Sequence, residues 1–255
     1  MLRKLIFVAA AMAALVLSGC SMVRQAGGNA NDSAREIMAK YQDAVVFVSG
    51  VARIQGRSGQ SQDEKMETTG TVVDPSGLTV VSLASFDPTG GDQESEDKGG
   101  AKSSFSDVKI LLADGVTEVP AKLVLKDADL DLAFIMPEKK DGAQLPKFTY
   151  ILLKKASEVK LLDQIVTLDR LDKEMDRRPT VALSRITAIV QKPRTFYLAQ
   201  SAGQSMSSPV FTLDGQPLGF NLHRKIKQEG RRVSFPIILP AEDVQEVAQE
   251  ALKQK

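Results

Sequence analysis

Three serines within four positions, Ser205, Ser207 and Ser208, are candidate nucleophiles in this chain. A serine hydroxyl attacks a substrate only when a neighbouring base takes its proton. The usual base is scarce here, because His223 is the only histidine in the sequence. A lysine could replace it if burial lowered the lysine pKa enough to keep the amine uncharged. No spacing ties a lysine to these serines, so we expect His223 to be a partly exposed strand residue and keep a serine-lysine hydrolase as an alternative.

The chain also contains a single cysteine, Cys20. One thiol excludes a disulfide framework and a zinc site built from thiolates. Cys20 follows a basic start, Arg3 and Lys4, and an uncharged apolar run over residues 5–17. That run is shorter than the roughly 20 residues that a helix needs to cross a bilayer. The pattern is therefore typical of a secretion signal rather than of a membrane span.

The end of this signal, Leu-Ser-Gly-Cys over residues 17–20, resembles the lipobox of bacterial lipoproteins. The resemblance implies that residues 1–19 are a signal peptide and that Cys20 carries a lipid anchor, palmitate among its acyl chains. Ser21 follows the cysteine, where an inner-membrane retention signal would usually have Asp. We therefore expect a cell-envelope location, on the outer membrane facing the periplasm if the host has two membranes. The alternative is an ordinary signal peptide with an incidental cysteine, although a lone exported thiol is uncommon.

The remaining chain is nearly balanced in charge. The sequence has 33 Lys and Arg residues, two of them in the signal, against 32 Asp and Glu residues. Such a balance gives no reason to expect a nucleic-acid partner. Residues 20–31 are mostly small and polar without periodicity, which predicts a flexible tether. We expect one domain over residues 32–255, and no cofactor.

From residue 44 onward, short β-branched runs alternate with Gly, Pro and Asp, a pattern that favours a sandwich or barrel. A short helix is expected over residues 34–41, and an amphipathic helix over residues 241 to about 253. The stretch from Asp87 to Asp107 is acidic and nearly free of apolar side chains, which predicts a surface loop. Its carboxylates lack the pattern of a calcium-binding hand, so we expect no metal site there.

Four segments occur in an order and spacing that match a known protease domain. They are residues 70–84, Gly-Thr-Val-Val-Asp-Pro-Ser-Gly-Leu-Thr-Val-Val-Ser-Leu-Ala; residues 129–133, Asp-Leu-Asp-Leu-Ala; residues 162–166 with 184–187, Leu-Asp-Gln-Ile-Val with Ser-Arg-Ile-Thr; and residues 208–221, Ser-Pro-Val-Phe-Thr-Leu-Asp-Gly-Gln-Pro-Leu-Gly-Phe-Asn. Together they resemble the trypsin-like domain of the high-temperature-requirement (HtrA) serine proteases over about residues 44–250. The resemblance implies an all-β fold, a trypsin-like double six-stranded β-barrel with a short N-terminal helix and a C-terminal helix. We expect no peptide-binding PDZ domain after it.

The resemblance also assigns the positions of a catalytic triad. Asp131 falls at the position of the acid, Ala84 at that of the histidine, and Met206 at that of the nucleophilic serine. Alanine has no group that accepts a proton, and His223 lies far along the chain from the histidine position. The resemblance therefore implies that no Ser-His-Asp triad exists and that Asp131 is kept for structure.

Glycines around the nucleophile are replaced as well. In the protease family they permit the tight turn whose backbone amides form the oxyanion hole. Here Ser207 and Ser208 replace the two that follow the nucleophile, and Gln204 replaces the one before it. A gap of one residue would put Ser205 at the nucleophile position instead, but no alignment restores the base.

These observations predict a catalytically inactive homologue of trypsin-like proteases, anchored as a lipoprotein through Cys20 and acting as a protein-binding or scaffold module. Two alternatives stay open. One is a serine-lysine hydrolase that uses one of the three candidate serines. The other is a regulator of an active envelope protease, with the basic stretch over residues 223–232 or the acidic stretch after Asp87 as its contact surface. Charge runs are usually solvated faces.

Overall fold

The computed structural model describes residues 29–56, 59–87, 89, 102–139, 144–155, 158–200, 205–228 and 231–254. Cys20, the predicted signal peptide and most of the predicted tether lie outside these residues, so those predictions stay untested. Within the described part of the chain, no helix is both long and apolar enough to cross a membrane.

The first half of the described chain is a closed antiparallel barrel with the strand order β1-β2-β3-β6-β5-β4. Its strands are β1 (Val45–Gln55), β2 (Ser61–Val72), β3 (Thr79–Ser82), β4 (Lys102–Leu111), β5 (Glu118–Asp127) and β6 (Leu132–Pro137). The β1–β2 hairpin is the longest pairing, from Val45 opposite Thr71 to Gln55 opposite Ser61. Only its inner part is buried, so the outer arm projects from the barrel.

The second half is another closed antiparallel barrel, with the order β10-β11-β12-β9-β8-β7. Its strands are β7 (Gln164–Arg170), β8 (Pro179–Val190), β9 (Phe196–Ala199), β10 (Pro209–Thr212), β11 (Pro217–Gln228) and β12 (Arg231–Pro240). In the described residues, the barrels are accompanied by the α-helices α1 (Ala30–Tyr41), α2 (Leu83–Phe86) and α3 (Ala241–Lys253). The predicted fold class, a trypsin-like double six-stranded barrel with an N-terminal and a C-terminal helix, is confirmed.

The main hydrophobic core lies between the two barrels rather than inside either one. Strands β3, β6 and β10 are buried along their whole length. Successive side chains of a strand point to opposite faces. Val81 accordingly packs inside the first barrel, whereas its neighbour Val80 joins the core shared with the second barrel and helices α1 and α3. This shared core therefore holds the strands of the first barrel in a fixed position relative to those of the second.

Helix α1 begins at Ala30, four residues before the predicted start. Asn29 is the cap residue, and its side-chain oxygen accepts a hydrogen bond from the Asn31 amide at 3.2 Å. Asparagine is a strong N-cap because it satisfies an amide that the helix leaves unpaired. The helix thus takes in the last two residues of the segment predicted as a tether.

The acidic stretch from Asp87 to Asp107 is not a loop throughout, since its last six residues belong to β4. Asp87 itself is buried, at 1% exposure. Its carboxylate accepts hydrogen bonds from Lys126 Nζ and Ser103 Oγ, both at 2.8 Å. The prediction of a surface loop was therefore wrong at both ends of the stretch. Its first residue, Asp87, forms a buried ion pair with Lys126, and its last six residues form an exposed part of β4.

Candidate functional site between the barrels

The Asp131 carboxylate lies where the two barrels meet, just before β6, and is 5% exposed. Its Oδ1 accepts a hydrogen bond from the Ala84 amide at 2.7 Å. Its Oδ2 accepts hydrogen bonds from Ser82 Oγ at 2.7 Å and from the His223 amide at 2.8 Å. Ser82 ends β3 in the first barrel, whereas His223 lies on β11 in the second. One carboxylate therefore ties both barrels together.

Burial raises the pKa of the Asp131 carboxyl, and the hydrogen bonds from Ser82, His223 and Ala84 offset only part of this effect. The three donors satisfy both oxygens of this buried carboxylate. The Ser82 hydroxyl and the amides of Ala84 and His223, rather than an imidazole, therefore fix the orientation of the Asp131 carboxylate.

Ala84 lies in the first turn of α2, directly beside Asp131. Ser82 caps this short helix, since its Oγ accepts a hydrogen bond from the Ser85 amide at 3.3 Å. The structure therefore brings Ala84 to the acid, as the resemblance implies for the histidine position. The alanine contributes only its amide, so nothing at this position can accept a proton from a nucleophile.

His223 reaches the same carboxylate, but through its backbone. Its imidazole is engaged elsewhere: Nδ1 lies 3.1 Å from Ser234 Oγ on the neighbouring strand β12. The ring is half-buried, consistent with the strand residue expected from the sequence. The one histidine of the chain is thus close to the acid without being oriented by it.

Ser207 is completely buried and joins the loop before β10 to the first barrel. Its Oγ accepts a hydrogen bond from the Ser82 amide at 2.6 Å, and its carbonyl accepts one from Thr71 Oγ1 at 2.7 Å. The backbone has φ = 72°, a left-handed conformation that glycine favours. This conformation is in keeping with the glycine that the resemblance places at this position.

The other candidate residues of this loop lie close by. Ser208 is also completely buried, and its Oγ has no hydrogen-bond partner among the described residues. Ser205 is half-buried and donates its amide to Asp169 Oδ2 at 2.8 Å. Met206 is half-buried between them. The bonds formed here hold the loop in place, and the Ser207 hydroxyl faces an amide instead of a lysine amine.

Sequence reasoning missed the residue that links the two parts of the site, Ser82. It donates its hydroxyl to Asp131 and its amide to Ser207 Oγ, which lie 49 and 125 positions away along the chain. Its only local signal is that of a helix cap, a serine directly before α2. Contacts over such separations depend on the closure of two barrels and carry no signature in a single sequence.

Comparisons with known proteins add no relative to this description. No family model matches the chain, and no curated protein sequence matches it. The double-barrel architecture therefore rests on the strand pairing itself.

Proposed function

We propose that this chain is a catalytically inactive relative of the HtrA-type proteases, anchored in the cell envelope through a lipid on Cys20, and that it serves as a protein-binding or scaffold module. One observation carries the proposal: the acid Asp131 is surrounded by the Ser82 hydroxyl and two backbone amides, at the place where a protease needs an imidazole. Among the described residues, none of the candidate serines Ser205, Ser207 and Ser208 is hydrogen-bonded to a base that could take its proton.

The neighbouring serines support the same conclusion. The Ser207 hydroxyl accepts an amide hydrogen bond that fixes the loop, and Ser208 Oγ is buried without a partner among the described residues. A nucleophile must instead be exposed to substrate and bonded to a base. A serine-lysine hydrolase is therefore the weaker alternative, since the geometry at Ser207 is that of a structural hydroxyl.

The lipid anchor is tested by feeding the producing bacterium a clickable palmitate analogue. We expect the label on the wild-type protein and none on a Cys20→Ala variant, whereas a Ser18→Ala variant, which keeps the cysteine, retains it. Equal labelling of wild type and Cys20→Ala would contradict acylation at this position.

The binding role is tested by crosslinking in intact cells, followed by purification from detergent-solubilised envelope. We expect the chain to be recovered in a complex of defined stoichiometry that survives Ser207→Ala. Recovery of the chain alone, at the mass of a monomer, would contradict a scaffold role. If substituting Arg224 and Lys225 by Glu abolished the complex, this result would favour the basic stretch over residues 223–232 as the contact surface, as the regulator alternative predicts.

A further inference from the structure

The segment between the two barrels exposes an unusual number of apolar side chains. Burial alternates along it: Ile151 and Leu153 are buried in the shared core, whereas Leu152 between them is 66% exposed and Tyr150 is 37% exposed. The Ile151 amide donates to the Val72 carbonyl at 2.9 Å, which holds the segment against β2. In an extended chain alternate residues face the same side. Tyr150, Leu152 and Lys154 therefore share one outward side.

This outward side continues into two neighbouring elements. Leu152 and Lys154 line a groove of about 520 Å³ with Lys40 and Tyr41 of α1. On the other flank, Lys147 lines a cavity of about 300 Å³ with the turn between β4 and β5. That turn carries Val116, which at 82% is the most exposed large hydrophobic residue of the described chain. Exposed apolar side chains in neighbouring elements are typical of a site of contact with a protein or a membrane.

Charge distinguishes between these partners. Residues 144–155 include Lys147, Lys154 and Lys155 and no acidic residue. Acidic groups that share the groove, Glu36 and Asp214, lie on its other walls, in α1 and in the turn before β11. Exposed Leu and Tyr side chains flanked by lysines are the combination found where proteins rest on anionic lipid.

The position of the tether brings this surface near a bilayer. Nine peptide units separate Cys20 from Asn29, which span at most about 32 Å when extended. The following helix α1 has 12 residues, or about 18 Å, and its last residues line the groove with Leu152. A lipid on Cys20 would therefore hold α1 within reach of the membrane.

We propose that this linker face, formed by Leu145, Lys147, Tyr150, Leu152 and Lys154, docks on an anionic lipid surface. Leu152 and Tyr150 enter the headgroup region, and the lysines lie against lipid phosphates. The inference rests on the proposed anchor for its geometry, yet the contact has its own chemistry and its own test. It goes beyond the anchor because it fixes which side of the double barrel faces the bilayer.

The chain contains no tryptophan, so a single introduced indole reports its own surroundings. We would compare Leu152→Trp with Leu162→Trp in the full-length protein, because both leucines are 66% exposed. Leu162 lies just before the start of β7. The end of α1 lies at the other end of this strand, where Arg170 donates a hydrogen bond to the carbonyl of Gln42, the residue after α1. Leu162 therefore serves as the control position. In phosphatidylglycerol vesicles containing brominated lipid, we expect a blue shift and strong quenching for Leu152→Trp and neither for Leu162→Trp.

A second measurement concerns the lysines. Substituting Lys154 by Gln should lower the vesicle partition coefficient of the unacylated chain about fivefold, since one lysine near an anionic surface contributes about 1 kcal/mol. Lys122→Gln on β5 serves as the control and should leave the coefficient unchanged.

The outcomes separate the two proposals. Equal quenching at both positions, or none at either, in a chain that is acylated and bound to vesicles would overturn the docking of the linker face and leave the anchor intact. If Cys20 carries no lipid, the anchor fails, while quenching in the unacylated chain at high lipid concentration still decides the inference. Equal quenching in zwitterionic and anionic vesicles would also contradict it, because the lysines would then have no role.

Discussion

At the residue scale, Ser82 connects the acid Asp131 to the loop before β10. An imidazole makes the connection between acid and nucleophile in a serine protease. The Ser82 hydroxyl binds the acid Asp131, and the Ser82 amide binds the Ser207 hydroxyl. All three residues are buried, so each polar group needs a partner to offset its loss of water. The consequence is a hydrogen-bonded connection between the acid and the loop before β10 that stabilises the molecule.

Ser207 offers a test of this connection that separates backbone from side chain. Both Ser207→Ala and Ser207→Gly remove the hydroxyl that accepts the Ser82 amide, but only glycine adopts φ = 72° without strain. We expect Ser207→Gly to be more stable than Ser207→Ala by about 1 kcal/mol in chemical denaturation. If the alanine variant were equally or more stable, the left-handed conformation at this position would be wrong.

Two of the buried aspartates, Asp87 and Asp131, predict opposite responses to pH. Burial alone would raise the pKa of Asp87, but the hydrogen bonds from Lys126, Thr89 and Ser103 and the Lys126 charge outweigh it, so the pKa is lowered. Asp87 therefore contributes stability above its unfolded pKa of about 3.9, and this contribution is lost as the pH falls through the lower folded value. Relative to Asp87→Asn, the wild type should lose free energy of unfolding on acidification.

Asp131 has the reverse sign, because burial raises its pKa. Between about pH 3.9 and its folded pKa, the native state binds the proton more readily than the unfolded chain, so stability falls as the pH rises. Relative to Asp131→Asn, the wild type should therefore gain free energy of unfolding on acidification. Urea titrations of the wild type and the two variants at several pH values give the free energy of unfolding of each as a function of pH. If both differences from the wild type changed in the same direction with pH, the environment described for one of the two aspartates would be wrong.

At the element scale, the N-terminal segment is fastened to the second barrel by Arg170 at the end of β7. This arginine is 6% exposed, and it donates to the carbonyls of Val45, Gln42 and Arg177 at 2.7, 2.9 and 3.1 Å. Gln42 lies in the connection between α1 and β1, and Val45 is the first residue of β1. A guanidinium has the planar fork of donors that this geometry requires, and a lysine does not.

Arg170→Met should therefore leave three carbonyls without their donor and lower the free energy of unfolding by about 3 kcal/mol. Arg178→Met, eight positions away with an exposed side chain, is the matched control and should change it by less than about 0.5 kcal/mol. A loss of the same size in both variants would show that Arg170 does not fasten the segment.

Element boundaries show where sequence reasoning succeeded and where it failed. The continuous β-branched and apolar runs over residues 78–83 and 209–211 predict strands, and the structure has β3 and β10 there, each with two buried faces. The outer arm of β2, from Ser61 to Glu67, was not predicted, because its side chains are exposed and show no alternation of apolar and polar residues. The same reason explains the missed start of β4 at Lys102. The arm of β2 is held by backbone pairing with β1 in a hairpin, and the start of β4 pairs with the other side of β1. Backbone pairing of this kind leaves no pattern in the side chains.

At the scale of the whole molecule, the shared core between the barrels decides the character of the site. Residues of both barrels and of α1 and α3 pack in one cluster, so the loop before β10 is pressed against β2 and β3. The fold was predictable, because the four resembling segments are spread over both barrels. The packing of the loop before β10 against the first barrel was not predictable, because it depends on the hydrogen bonds of Ser82 and Thr71 with Ser207 across the barrel interface.

The most direct measurement is labelling of the folded protein with a fluorophosphonate probe, which reacts covalently with activated serines whatever the substrate. The wild type should be compared with Ser205→Ala, Ser207→Ala and Ser208→Ala, and an active trypsin-like protease should serve as the positive control. We expect no labelling above that of the variants, since among the described residues none of these three serines is hydrogen-bonded to a base. Stoichiometric labelling that one of the three substitutions abolishes would contradict this expectation.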